Sequence, residues 1–260
     1  MHITPRRVFI TGASSGIGEA LAREYAMQGV TLGLLARRGD ALRQLAASLT
    51  NPGLHKVYAV DVTDRAALAT ATADFIAGGG ADIVIANAGV SQGTLTEHAE
   101  DLAAFDTIFA TNVSATVATF APFIASMKGR GGAPTLVGIG SVAGIRGLPG
   151  AGAYSASKAA VLAYCESLRL EMKPHGIRVV TIAPGYIDTP MTRANPYPMP
   201  FLMPAARFAE KAAGAIASGA SYRVIPWQMG VVAKLLRALP NPLYDLAFTR
   251  APRKPRGGAP

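Results

Sequence analysis

The sequence predicts an α/β fold: one doubly wound parallel sheet with helices on both faces, three layers in a single domain. Three observations predict it. Short apolar runs alternate with longer stretches of helical periodicity along most of the chain. A glycine-rich turn joins the first apolar run to the first helical stretch. The length, 260 residues, suits one large α/β domain with a continuous core.

The elements follow in order. Residues 8–10 read as the first strand. Residues 17–28 read as a helix with Ile17, Leu21 and Tyr25 on one face. Residues 30–36 form a second strand, and 57–60, 83–86, 135–139 and 179–182 supply four more. Helical stretches lie near 40–48, 64–77, 100–127 and 153–173. Segment 190–206, rich in Pro and Met, breaks the pattern and reads as an irregular loop. Residues 227–260 read as an appended, partly helical extension to a domain of residues 1–226. No internal repeat is present.

Composition narrows the classes. Half the residues are hydrophobic and 16% are charged, which excludes a disordered chain. The lone Cys165 cannot close an internal disulfide, and its apolar helical surroundings mark it as a small buried filler. Residues 1–7 lead straight into a strand with no secretory pattern, and no run of about 18 uncharged apolar residues suggests a spanning helix. The cytoplasm is the expected compartment. The formal charge is +9, and part of it sits in Arg250, Arg253, Lys254 and Arg256, within a Pro/Gly-rich end that holds no acid. That end reads as a solvated, frayed tail. No interleaved basic and aromatic pattern points to nucleic acid, and no metal site is expected. Trp227, Val231, Val232, Leu235, Leu236 and Leu239 fall along one side of a helix, interrupted by Lys234 and Arg237. With the basic end, this segment could rest weakly on an anionic membrane; an oligomer or core contact is the other reading.

The chemistry gathers at the carboxyl ends of the strands, where such sheets bind ligands. The first strand runs into Thr11-Gly12-Ala13-Ser14-Ser15-Gly16-Ile17-Gly18. Glycines let the chain turn sharply and approach a pyrophosphate, and the helix that follows offers free N–H groups and a positive dipole. The second strand ends without a carboxylate and is followed by Arg37 and Arg38. Guanidinium groups grip phosphate, so NADP(H) is favoured over NAD(H), with Arg37 ahead of Arg38 as the 2′-phosphate partner. Tyr154 and Lys158 are four apart on a helix and share a face. A phenol is a poor base near its ordinary pKa of about 10, and a nearby ammonium would lower it for proton transfer. Ser141 follows the strand at 135–139, where its hydroxyl could polarise a carbonyl.

Taken together, the G-x-x-x-G-x-G loop after Thr11, the Asn87-Ala88-Gly89 turn, Ser141, the Tyr154…Lys158 pair and the Pro184-Gly185 turn resemble the short-chain dehydrogenase/reductase family over roughly residues 6–225. The resemblance implies a Rossmann-type fold and hydride transfer between a nicotinamide cofactor and a small-molecule carbonyl or alcohol. It implies that Gly12, Ser14, Ser15, Gly16, Ile17 and Gly18 hold the cofactor phosphates, and that Asp61 and Val62 contact adenine. Asn87, Ala88 and Gly89 would pass close to the cofactor; Pro184, Gly185, Ile187 and Thr189 would cover the nicotinamide. Lys158 would bind the nicotinamide ribose, and Asn112 would orient a water that links Lys158 to solvent. Similar proteins are commonly homodimers or homotetramers joined through helices matching 100–127 and 153–173. The 190–206 segment would then be a lid over an apolar substrate, with Met199, Phe201, Leu202 and Met203 in reach of it. Two other readings stay open: a non-catalytic NADP(H)-binding sensor or scaffold, and a membrane-docked lipid-processing reductase.

Overall fold

The structure, a computed structural model, describes residues 7–257; residues 1–6, at the chain start where no secretory pattern was read, and residues 258–260 lie outside the described residues. The elements run β1 (Arg7–Thr11), α1 (Gly16–Met27), β2 (Thr31–Ala36), α2 (Gly39–Ser48), β3 (Lys56–Ala59), α3 (Arg65–Ala77) and β4 (Ile83–Ala86). They continue with α4 (Leu102–Phe109), α5 (Ala115–Met127), β5 (Thr135–Ile139), α6 (Gly152–Met172), β6 (Arg178–Pro184) and β7 (Ile187–Asp188). The last are α7 (Pro190–Arg193), β8 (Met203–Pro204), α8 (Ala205–Ala217), β9 (Tyr222–Ile225), α9 (Trp227–Ala238) and α10 (Asn241–Phe248).

Seven strands form one sheet in the order β3-β2-β1-β4-β5-β6-β9, and every pair is parallel. Successive side chains of a strand point to opposite faces, and the two cores follow that alternation. Val8, Ile10, Leu32, Leu34, Ile83, Ile85, Val137, Ile139, Val180 and Ile182 face one layer, built from α1, α2 and α8. Phe9, Leu35, Val84, Leu136 and Val179 face the other, built from α3, α5 and α6. The expected doubly wound, three-layer fold is therefore present. Strand order reverses between β1 and β4, and that opens a crevice at the carboxyl edge.

Several details differ from the sequence reading. A seventh strand, β9, adds to the edge; its four residues are too few to show a period of their own. Helix α8 had not been drawn, although Phe208, Ala209, Ala212, Ala213 and Ile216 bury one face of it. The run at 100–127 is two helices joined by a π turn, Ala110–Ser114. By length and composition Ala99–Met127 could cross a membrane, contrary to the sequence expectation. Here Phe120, Phe123 and Met127 pack in the second core. Segment 190–206 is not wholly irregular. Pro190 starts α7, where Thr192 Oγ1 accepts from Thr189 N at 3.1 Å, and β7 pairs with β8.

The extension also departs from expectation. Helix α9 buries Met229, Gly230 and Ala233 and leaves Trp227, Val231 and Leu235 exposed, so its most apolar stripe faces outward. Residues 254–256 are not part of a frayed tail. Gly93 N donates to Pro255 O at 3.1 Å, and Arg256 forms ion pairs of 2.8 Å with both Glu100 and Asp101. Arg146 Nη1 donates to Leu239 O, its guanidinium lies 3.9 Å over the Tyr244 ring, and Tyr244 Oη donates to Gly147 O. Arg256, which reads as solvated in the sequence, has its partners about 155 positions away, at Glu100 and Asp101, which no local pattern reveals.

Candidate active site

A cleft of about 650 Å³ runs along the carboxyl edge. Its lining brings together Gly12, Ser14, Ser15, Gly16, Ile17, Arg37, Arg38, Asp61, Val62, Asn87, Ala88, Gly89, Ser141, Tyr154, Lys158, Pro184, Gly185, Ile187 and Thr189. Of the residues read from the sequence, Gly18 and Asn112 stand just behind this lining. A Cβ at Gly12, whose φ is +66°, would sit 2.8 Å from Ala88 Cα. A Cβ at Gly18 would run into the Gly12 carbonyl and lie 2.6 Å from Asn87 Nδ2. These glycines let the first loop and the Asn87 turn lie against each other, leaving the start of α1 open to an anion. Asn87 stitches the two: Nδ2 donates to Thr11 O at 3.0 Å and Gly12 O at 3.2 Å. Thr11 Oγ1 accepts from Asn87 N and Ala88 N, both at 3.1 Å.

At one end of the cleft stand the basic groups. Arg38 Nη2 donates to Ser15 Oγ at 2.6 Å and Ser14 Oγ at 3.2 Å. Arg37 Nη1 lies 3.9 Å from Asp61 Oδ2, with both side chains largely exposed. Asp61 Oδ1 accepts from Thr63 N and Oγ1 at 2.8 and 2.7 Å, closing a turn. The helix cap belongs to Asp64, which accepts from Ala66 N and Ala67 N.

At the other end, β5 delivers Ser141 and α6 delivers Tyr154 and Lys158. Ser141 and Tyr154 both line the cleft, and Ser141 Oγ accepts from Ala143 N at 3.1 Å. Burial pushes the Tyr154 phenol above its ordinary pKa, and the Ser141 hydroxyl opposes this only in part. The expected lowering by Lys158 is not what acts here. Lys158 Nζ donates to Ile139 O at 2.9 Å and lies 5.9 Å from the Tyr154 ring centroid. Burial pushes the Lys158 ammonium down to about 8.

Asn112 sits on the π turn, a device often found at functional sites. It is buried, and its amide is fully engaged: Oδ1 accepts from Val90 N at 2.8 Å, and Nδ2 donates to Val90 O and Ser157 Oγ at 3.1 and 2.9 Å. It ties the loop after Gly89 to α6. Cys165 is buried beneath, its thiol pushed up to about 11, as a packing residue would be.

The lid expectation needs correction. Met191, Thr192 and Ala194 line the cleft, but Phe201, Leu202 and Met203 line a separate groove of about 560 Å³ beside α8 and α9. The β7–β8 pairing turns residues 201–204 away from the site. Sequence reasoning missed Ser91, Gln92, Lys254 and Pro255, which also line the cleft. No group of three or more His, Cys, Asp or Glu that could hold a metal occurs among the described residues.

Comparisons with known proteins agree with this layout. Residues 6–198 match the family model for short chain dehydrogenase. An uncharacterized oxidoreductase of Myxococcus xanthus is 38% identical over 249 residues, covering 94% of this chain and 97% of the relative. One from Mycobacterium tuberculosis is 40% identical over 195 residues, covering 73% of this chain and 76% of the relative. A short chain dehydrogenase from Burkholderia cenocepacia, solved in complex with NADP, superposes with a TM-score of 0.79 at 25% identity, covering 97% of this chain and all of that one.

Proposed function

The chain belongs to the short chain dehydrogenase family and is an oxidoreductase; on that premise we propose that it interconverts a carbonyl and an alcohol with NADP(H). The observation that carries this reading is that Ser141, Tyr154 and Lys158, the last two one turn apart on α6, line the same cleft as the glycine loop.

The cleft fits a dinucleotide. Gly12 and Gly18 leave a cradle that a Cβ would fill, at the start of a helix. Gly12, Ser14, Ser15, Gly16, Ile17 and Gly18 would hold the pyrophosphate, and Asp61 and Val62 the adenine side. Asn87, Ala88, Gly89, Pro184, Gly185, Ile187 and Thr189 would flank the nicotinamide half. When bound, the cofactor supplies or accepts the hydride. The protein's own groups handle the proton and the orientation. Ser141 polarises the carbonyl oxygen, Tyr154 Oη donates a proton to it, and Lys158 binds the nicotinamide ribose. Asn112 fixes the distance between the loop at Val90 and α6. The proton stays on Tyr154 well above neutrality, which suits the acid of a reduction.

The absence of a carboxylate after β2 and the presence of Arg37 and Arg38 support NADP(H) over NAD(H). Replacing Arg37 with Asp should weaken NADPH by about tenfold or more, or about 1.4 kcal/mol. A fluorescence titration with NADPH that gives the wild-type affinity would show that the 2′-phosphate rests on Arg38 alone, which already reaches both loop serines.

The pH dependence follows from the two shifts. Tyr154 has its pKa raised, so its proton is present at neutral pH and lost only as pH rises; Lys158 loses its charge near about 8. The kcat/KM for reduction should be level below about pH 8 and fall above it, whereas that for oxidation should climb as pH rises. A reduction profile that increases with pH would contradict the assignment of Tyr154 as the acid.

The substrate is expected to be largely apolar, since Val90, Ile139, Ile187, Met191 and Ala194 line the cleft. A homodimer or homotetramer through α4, α5 and α6 is supported by exposed Leu102, Phe105, Val117 and Leu170. The free, buried Cys165 suits the cytoplasm. The outward stripe of α9 would permit weak contact with a membrane surface. Turnover of a panel of ketones and aldehydes with NADPH and with NADH tests the activity and the cofactor preference together.

A further inference from the structure

Lys254 and Pro255 form part of the cleft wall. Arg256 anchors them: Nε donates to Asp101 Oδ2 at 2.8 Å and Nη2 to Glu100 Oε1 at 2.8 Å. The Asp101 side chain is nearly buried, only 8% exposed, and Oδ2 also accepts from Leu95 N at 2.8 Å, so the anchor is a sheltered, hydrogen-bonded pair. Gly93 pairs with Arg256 as an isolated parallel bridge. The Arg253 side chain lies over Gly150, where a Cβ would meet it at 2.9 Å. Gly150 is four residues before Tyr154, and Thr94 bridges to Ala151 beside it. Residues 253–256 are thus held between the loop after β4 and the loop that opens α6.

That path sets Lys254 in the cleft wall beside Ser91 and Gln92. Its Nζ donates to Ser91 Oγ at 2.9 Å. An ammonium has three donors, and one hydroxyl takes only one of them. Among the described residues it forms no ion pair: Glu100 and Asp101 are taken by Arg256. Desolvation lowers its pKa from the ordinary lysine value, so the charge stands in a partly dry place with no counter-ion among the described residues. Ser91 lies two residues after Gly89, where a Cβ would stand 3.6 Å from Lys158 Nζ. The cation is therefore at the Tyr154–Lys158 end of the cleft, away from Arg37 and Arg38.

Resting on the carbonyl-reductase reading above, we propose that Lys254 selects the substrate: it binds an anionic group, a carboxylate or phosphate, carried on the same molecule as the reacting carbonyl. The substrate is then amphipathic. Its apolar body lies along Val90, Ile139 and Met191, and its anionic end meets the strap formed by residues 253–256. The Ser91 hydroxyl positions the ammonium, and the Arg256–Asp101 pair fixes the backbone that carries it.

The test compares keto acids with their own methyl esters, using acetoacetate and 4-acetylbenzoate as the acids. The wild-type protein, Lys254→Met and Lys254→Arg are assayed with NADPH, and the NADPH Kd of each is titrated. In the wild type the acid should exceed its ester in kcat/KM. Lys254→Met should lower the acid-to-ester ratio by about tenfold or more, equivalent to about 1.4 kcal/mol. Lys254→Arg should keep most of that ratio, and neither variant should alter the NADPH Kd. An unchanged ratio, or acid and ester losing rate equally, would overturn the proposal; the second result would mark a wall residue without charge selection. A weakened NADPH Kd with a constant ratio would also overturn it and assign the cation to a cofactor phosphate. Wild-type turnover of the esters separates this from the parent reading: if no acid or ester is reduced, the reductase reading itself fails on these substrates.

Discussion

Replacing Tyr154 with Phe should lower kcat by about 10²–10⁴-fold, the range that one positioned acid or base contributes, and leave NADPH affinity unchanged. The ring would still pack on α6, while the proton would be gone. Ser141→Ala should act in the same direction, since the Ser141 hydroxyl acts on the same phenol. Because the two groups work as a unit, the double variant should lose little more than Tyr154→Phe alone. Fully multiplicative losses would mean that Ser141 and Tyr154 act independently. Substantial turnover by Tyr154→Phe would remove the phenol from the acid role.

Gly18→Ala should strongly weaken cofactor binding. The added carbon would collide with the Gly12 carbonyl and stand 2.6 Å from Asn87 Nδ2. Neither can retreat cheaply. Asn87 Nδ2 is bonded to Thr11 O and Gly12 O, and Thr11 Oγ1 is bonded to Asn87 N and Ala88 N. The loop must shift where the pyrophosphate is expected to rest, so NADPH affinity should fall by about a hundredfold, or about 2.8 kcal/mol. Overpacking of this kind also costs about 1–3 kcal/mol of stability, which for a chain of this size lowers Tm by a few degrees, about 2–4 °C per kcal/mol. Titration and thermal melting on one preparation check both. Wild-type affinity with an unchanged Tm would show that the first loop and the Asn87 turn are not rigidly joined.

The residues that chemistry requires were the most legible ones. Gly12, Gly16 and Gly18 stand close together in sequence because one tight turn needs them all, and Tyr154 and Lys158 are a helical turn apart. The apolar runs of β1, β2, β4, β5 and β6 are buried on both faces, so composition alone marks them. What stayed hidden depends on distant pairing. The short, exposed β9 becomes a strand only beside β6. Lys254 and Arg256 acquire meaning only once the chain returns to Ser91 and Asp101. Phe201 was read as facing substrate because it follows Thr189 closely, yet the pairing of Ile187 with Met203 folds that stretch away. The Lys158 ammonium was expected to act on the phenol; it is held instead by Ile139 O, a contact that only the packing of α6 against the end of β5 creates.

The central claim is that this cleft passes a hydride between a nicotinamide and a carbonyl carbon while Tyr154 supplies the proton. Its most direct test is to reduce a ketone that proves to be a substrate with NADPH carrying deuterium on one face of the transferring ring carbon, and to analyse the alcohol by mass spectrometry. One of the two cofactor stereoisomers should give an alcohol with a single deuterium on the carbinol carbon, the other should give none, and Tyr154→Phe should give neither product at an appreciable rate. Oxidation of NADPH without deuterium in the alcohol from either isomer would contradict the account.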